Sequence, residues 1–201
     1  DGNLNAQNKD IVVIGGGDTA MDCVRTAIRQ EANSVKCLYR RDKENMPGSA
    51  REVNNAEEEG VEFLWQSLPK NMKQSNKKYN LQCVKMKLSE PDADGRRIPQ
   101  QIEGSDFNLK ADMVIAALGF SPEELPKLFN LKELPVTKWG TVRVGFNTMM
   151  TDIDGVFAAG DIVRGASLVV WGIRDGRDVA NSIHNYIEAK KISEMNNVKV
   201  S

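Results

Sequence analysis

The chain has 201 residues, enough for one large domain or one and a half ordinary ones. Its 27 basic and 28 acidic residues nearly cancel, and a net charge of −1 argues against a nucleic-acid or anionic-membrane partner. No apolar run could span a bilayer, no signal-peptide pattern is present, and Cys23, Cys37 and Cys83 are far apart with no C-x-x-C, so a soluble protein of the reducing cytoplasm is expected, without disulfides, a dithiol redox pair or a four-thiolate cluster.

Residues 1–9 are polar and read as a linker. Ile11-Val12-Val13-Ile14 is an uninterrupted apolar run, as in a strand buried on both faces. A helix over 19–30 follows, with Ala20, Cys23, Val24, Ala27 and Ile28 on one face and Arg25 and Arg29 pointing away from it. Val35 to Tyr39 is the second strand. Ser49 opens a second helix, with Glu52 completing a capping box and Gly60 suiting its end. Val61 to Trp65 is a third strand, and 70–78 reads as a polar, basic, mobile loop. Val84, Met86 and Leu88 alternate with Lys85 and Lys87, giving a strand with one wet face. Asp94-Gly95 is a hairpin turn signal, 98–109 continues a small antiparallel meander, and Met113 to Leu118 is a strand buried on both faces that ends at Gly119. From Ser121-Pro122 the character changes. Residues 142–144 and 155–159 read as strands, 167–190 as a long helix with Val169, Ile173, Ala180, Ile183 and Ile187 among its apolar positions, and 193–201 as a frayed tail.

Gly15-Gly16-Gly17-Asp18-Thr19-Ala20 stands between the first strand and the first helix as G-x-G-x-x-A. Gly15 permits the tight turn, Gly17 lets a diphosphate approach the backbone, and Ala20 lets helix and strand pack closely. The free N–H groups of the helix's first turn then face the anion. A merely structural turn is the competing reading, but it has little use for three consecutive glycines. About 20 residues on, where an NAD site carries an acid, this chain has Tyr39-Arg40-Arg41. Two guanidiniums suit a 2′-phosphate, so NADP(H) is favoured over NAD(H), with a solvated basic turn as the competing reading, and Asp42 would pair with an arginine. Gly119 lies where such a sheet presents its ligand crevice.

A second signature runs from Thr151 to Asp161. Its apolar strand leads into Gly160, which allows close approach, and Asp161, whose carboxylate could accept from a ribityl hydroxyl. The helix that begins with Ser167, Leu168 and Val169 would turn its positive end to a flavin's pyrimidine edge. The pattern reads as the second half of an FAD site, with a plain strand–turn–helix capped by Asp as the competing reading. Only ten residues precede Ile11, so the glycine-rich first half is missing, and the expectation is a piece of a larger flavoprotein. An apolar face left open by the half domain would favour a homodimer of the fragment.

At Val13–Thr26, Tyr39-Arg40-Arg41-Asp42, Asn45-Met46-Pro47-Gly48-Ser49, Glu57–Phe63, Ala117-Leu118-Gly119-Phe120 and Val156–Gly165 the chain resembles the small (β) subunits of bacterial glutamate synthases, over about 9–188. The resemblance implies an α/β fold: a Rossmann-like NADP(H)-binding domain with a small antiparallel meander, at 9–120, and the carboxyl-terminal part of an FAD-binding domain, at 121–201. It implies an NADPH-dependent enzyme that reduces FAD, with iron–sulfur clusters elsewhere in the full-length protein passing electrons to the large subunit, which makes glutamate from glutamine and 2-oxoglutarate. In the related adrenodoxin reductase type a Glu eleven residues after the basic pair lies near the nicotinamide; Glu52 has that spacing, with a capping-box role as its plainer reading. Glu31 stands where relatives often end the helix with glycine, and Asn33 could take the left-handed conformation in its place.

Hydride transfer to a flavin depends on stacking and alignment more than on acid–base groups, so no catalytic side chain and no metal ligand is assigned. The single histidine, His184, reads as a helix-surface residue. Two other readings remain at this level: a nucleotide-binding docking module without turnover, and the input unit of another iron–sulfur flavoenzyme.

Overall fold

The computed structural model describes residues 4–90 and 97–198. The chain divides into two compact units, Asp1–Gly119 and Phe120–Ser201.

In the first unit, β1 (Asp10–Ile14) lies inside a parallel sheet ordered β3-β2-β1-β8, with β2 (Ser34–Leu38), β3 (Glu62–Leu64) and β8 (Met113–Ala116). Ile11 pairs with Val35 on one side and Met113 on the other. The run Ile11–Val13 is apolar throughout because both sheet faces are covered. Ile11 and Val13 pack with Ala20, Met21 and Val24 of α1 (Asp18–Arg29) and Val53 and Ala56 of α2 (Ala50–Glu58). Val12 and Leu38 pack on the opposite face against Leu81, Cys83 and Ala111. Each such buried side chain contributes on the order of 1.5–3 kcal/mol.

That second cover is an antiparallel sheet of β4 (Ser67–Ser75), β5 (Lys78–Leu88), β6 (Pro99–Gln101) and β7 (Phe107–Ala111), in which β5 pairs with the other three. The alternation at 84–88 holds, with Val84 and Met86 buried and Lys85 and Lys87 exposed. The expected mobile loop at 70–78 is instead most of a β-hairpin. Asn76 and Lys77, at φ 50° and 64°, form its two-residue turn between Ser75 and Lys78. Beyond Pro69 both faces of β4 are wet, so no hydrophobic alternation marks the strand. The Asp94-Gly95 turn lies outside the described residues. β8 is an edge strand, so Met113, Val114 and Ile115 are only half-buried and Ala116 is exposed, against the expectation of burial on both faces.

Three local readings give way to tertiary contacts. In the described part of the segment read as a linker, residues 4–9, Ala6 is buried and its N–H donates to Gln30 Oε1 at 2.9 Å. Glu31 itself takes the left-handed conformation after α1, at φ 62°, while Asn33 donates its side-chain amide to the Asn8 carbonyl. Ser49 precedes α2 without a side-chain cap bond, and Glu52 pairs with Arg25, so no capping box forms. Arg25 also binds Glu59 at 2.7 Å, and Arg29 reaches the same carboxylate at 3.0 Å. Gly60 ends the helix at φ 97° as expected.

The second unit holds α3 (Leu125–Leu128), α4 (Asp161–Arg164) and α5 (Val169–Val198). The strands expected at 142–144 and 155–159 reduce to single bridges, Val136 to Val142 and Met150 to Phe157, with no ladder beside them among the described residues. α5 starts two residues later than expected and runs through 193–198, read above as a tail. Polar anchors fasten it: Arg164 to Asp175 at 2.6 and 3.0 Å, and Lys190 to Asp154 at 2.6 Å. Tyr186 meets Phe157 edge-on at 5.5 Å, and its hydroxyl would lie 3.0 Å from a Cβ added at Gly155, a turn residue at φ 76°.

Candidate functional site

A cleft of about 580 Å³ opens at the carboxyl ends of β1, β2 and β8. The glycine turn and Thr19 form its floor, Tyr39, Arg40 and Pro47 one wall, and Ser67, Leu68, Leu118 and Gly119 complete it. In an open α/β sheet this is where ligands bind.

The three glycines serve three different needs. Gly15 has φ 147°, and a Cβ there would collide with the Ala117 carbonyl. A Cβ at Gly16 would collide with the Tyr39 ring. Gly17 has an ordinary backbone, φ −89° and ψ 178°, and an added Cβ would meet nothing within 4 Å beyond its own neighbours along the chain. Nothing in the protein requires glycine at 17, whereas a diphosphate resting on the backbone would. The Ala20 and Met21 amides donate to the Gly17 carbonyl at 2.9 and 3.2 Å, which leaves the Asp18 and Thr19 amides of the first turn of α1 open to an anion, and Ala20 is fully buried. The turn therefore fits a dinucleotide.

Arg40 is exposed and lines the cleft. Arg41 is half-buried outside that lining, and its Nε is buried without a partner among the described residues. Both arginines stand at a bend just past β2, and of the two only Arg40 is part of the cleft lining. Asp42 is turned to Asn45, accepting from its backbone and side-chain amides at 2.9 and 2.7 Å, in place of the arginine pairing weighed above. Gly119, at φ 83°, lines the cleft; Glu52 and Asp18 do not. Glu52 is held by Arg25, and Asp18 accepts the Ser49 N–H at 3.0 Å. Sequence reasoning assigned no role to Tyr39 and Pro47. Tyr39 supports Gly16 with its ring and donates its hydroxyl to the Asn45 carbonyl at 2.8 Å; an aromatic residue at the end of β2, directly before the basic pair, was the available signal.

The second unit has a cavity of about 640 Å³ lined by Phe120, Pro122, Trp139, Asp161 and Gly165, among others. Gly160 has φ 74° and ψ −150°, a conformation open essentially to glycine alone, and it delivers Asp161 to the first turn of α4. Ser167, Leu168 and Val169 are exposed and lie outside this lining.

Burial pushes the Cys37 thiol up to about 12 and Cys83 up to about 11, so both stay protonated and act as packing groups. Cys37 donates to the Gly15 carbonyl at 3.4 Å. His184 is exposed on α5. Among the described residues no group of three His, Cys, Asp or Glu could hold a metal ion, and no helix is long and apolar enough to cross a membrane.

Residues 1–185 match the family model of pyridine nucleotide-disulphide oxidoreductases. The chain is 63% identical over 189 residues to the glutamate synthase (NADPH) small chain of Azospirillum brasilense, covering 94% of this chain and 39% of that protein. It is 44% identical over 190 residues to the protein of the same name from Escherichia coli, covering 92% and 40%. It thus spans about two fifths of the length of these relatives. Its fold is similar to that of FprA from Mycobacterium tuberculosis in complex with NADPH, with a TM-score of 0.72 at 14% identity, over 94% of this chain and 54% of that one. The chain belongs to the pyridine nucleotide-disulphide oxidoreductase family.

Proposed function

We propose that this chain carries the NADPH-binding, electron-input part of a flavoprotein oxidoreductase of the glutamate synthase small-chain kind. The observation that carries the reading is the open backbone at Gly17 on the floor of a cleft whose wall presents Arg40. NADPH when bound supplies a hydride, and FAD accepts it. The residues of the chain bind and orient. The glycine turn and the Asp18 and Thr19 amides hold the pyrophosphate, Arg40 reads the 2′-phosphate with Arg41 next to it in the chain, and Gly119 borders the cleft on the β8 side. In the second unit Asp161 would take a ribityl hydroxyl, with Ser167, Leu168 and the start of α5 at Val169 toward the flavin. The other half of the FAD site and the iron–sulfur clusters belong to sequence beyond this chain, and the large glutamate synthase subunit is the partner that uses the electrons to make glutamate.

Anaerobic flavin bleaching in the longer protein tests this reading. With Arg40→Ala the KM for NADPH should rise at least about tenfold, equivalent to roughly 1.4 kcal/mol, and that for NADH should stay within about twofold. Equal losses for both nucleotides would remove Arg40 from 2′-phosphate recognition. Absence of bleaching by NADPH in the unaltered protein would remove the electron-input role.

A further inference from the structure

A carboxylate at the start of α1 poses a question that the glycine motif leaves open. The first turn of a helix is where the pyrophosphate should rest, and Asp18 would repel it there. The structure separates the neighbours: Thr19 lines the cleft and Asp18 does not. Asp18 Oδ1 accepts the Ser49 N–H at 3.0 Å, 31 positions along the chain.

This bond is one of three between the glycine-turn region and residues 45–49. The Gly48 N–H donates to the Gly16 carbonyl at 2.9 Å, and the Tyr39 hydroxyl, whose ring supports Gly16, donates to the Asn45 carbonyl at 2.8 Å. Between these fastenings stands Pro47, a wall of the cleft. Met46 packs on the core beneath α1, which holds the near end of the segment. Asp18 and Gly16 therefore hold the far end, Pro47–Ser49, where β2's loop becomes α2. A carboxylate accepting from a backbone amide is a strong, charge-assisted contact.

We propose that Asp18 is a positioning residue: through the Ser49 amide it latches the Asn45–Ser49 segment onto the glycine turn and so sets the Pro47 wall of the nucleotide cleft. Its carboxylate is engaged with the loop and lies outside the cleft lining. This inference rests on the NADPH reading of the cleft.

The test uses five forms of this chain: unaltered, Asp18→Ala, Asp18→Asn, Ser49→Pro and the double variant Asp18→Ala with Ser49→Pro. Asn keeps an acceptor oxygen at the same place. Ser49 has φ −56° and ψ 126°, so proline deletes the donor without altering the backbone. NADPH affinity is read by calorimetry and Ser49 amide protection by hydrogen exchange, with melting temperature alongside. The latch predicts that Asp18→Ala and Ser49→Pro each weaken NADPH about tenfold, that the double variant is no worse than either, and that Asp18→Asn stays within about threefold. It also predicts that the Ser49 amide loses protection in Asp18→Ala and keeps it in Asp18→Asn. Asp18→Asn binding as poorly as Asp18→Ala, additive losses in the double variant, or a lower melting temperature with unchanged affinity would each overturn it. If the unaltered chain binds no NADPH, the nucleotide reading fails by itself. The exchange measurement still judges the latch, and an equally protected Ser49 amide in Asp18→Ala would overturn it. Should Asp18→Ala fail to fold, Ser49→Pro and Asp18→Asn carry the same comparison.

Discussion

The two units of this chain solve the problem of burial differently. The first covers both faces of a parallel sheet, helices on one and an antiparallel sheet on the other, and buries Ile11, Val12, Val13, Leu38 and Leu81 almost completely. In the second, Leu134 and Val142 are the buried apolar residues among those described, and Thr141, Thr151 and Asp175 are buried polar ones. Phe120, Trp139, Leu168, Val169 and Ile173 are all at least 60% exposed there. A unit held by Arg164–Asp175 and Lys190–Asp154 depends on a few directed contacts, where the first depends on many undirected ones. The first should therefore tolerate loss of any one polar pair, and the second should not.

The sharpest way to break this contrast lies in the glycine turn. Gly15→Ala should destabilise the first unit by roughly 3 kcal/mol, since it combines a glycine-only φ of 147° with a collision against Ala117. Gly17→Ala, two residues on, should leave thermal unfolding unchanged within about 0.5 kcal/mol. Equal melting temperatures for the two variants would mean that the turn is not packed as described.

Asp175 offers the matching experiment in the second unit. The Arg164 guanidinium, and then the Gly160 N–H, hold its carboxyl below the usual carboxylate range. A depressed folded pKa stabilises above the unfolded value, about 3.9, and that contribution is lost as pH falls through the folded one. Hydrogen exchange in α5 near Asp175 should thus be steady from neutral pH down to about 4 and accelerate below it, after correction for intrinsic rates. Asp175→Asn should raise exchange at neutral pH and flatten the acid dependence. Unchanged exchange in Asp175→Asn would show that the ion pair does not hold α5.

A smaller effect is expected at Glu31, whose φ of 62° costs an L-residue on the order of 1 kcal/mol. Glu31→Gly should recover about that much in chemical denaturation, less the entropy that glycine adds to the unfolded chain and the Gln7–Glu31 bond it removes. No gain would mean that those two terms match the strain.

These contrasts also explain what the sequence reveals. The β1–α1–β2 order, the double-sided burial of Ile11–Val13 and the needs of Gly15 and Ala20 are legible because each is encoded within a dozen residues. The β4–β5 hairpin is not, since past Pro69 both faces are solvated and backbone pairing alone carries the strand. The Ser49–Glu52 capping box fails for another reason. Its local pattern is intact, but Asp18 takes the Ser49 amide and Arg25 takes Glu52, and both partners lie far away in sequence. Arg40 and Arg41 look equivalent as letters; only the path of the chain after β2 places one in the cleft lining and the other outside it.

The central claim is that the Gly15–Gly17 cleft binds NADPH through an open backbone at Gly17. Calorimetric titration of the chain and of Gly17→Ala with NADPH and with NADH, at one fixed salt concentration, tests it most directly. The account predicts NADPH binding at least about tenfold tighter than NADH, and loss of both in Gly17→Ala at an unchanged melting temperature. Binding of neither nucleotide by the unaltered chain, or undiminished binding by Gly17→Ala, would contradict it.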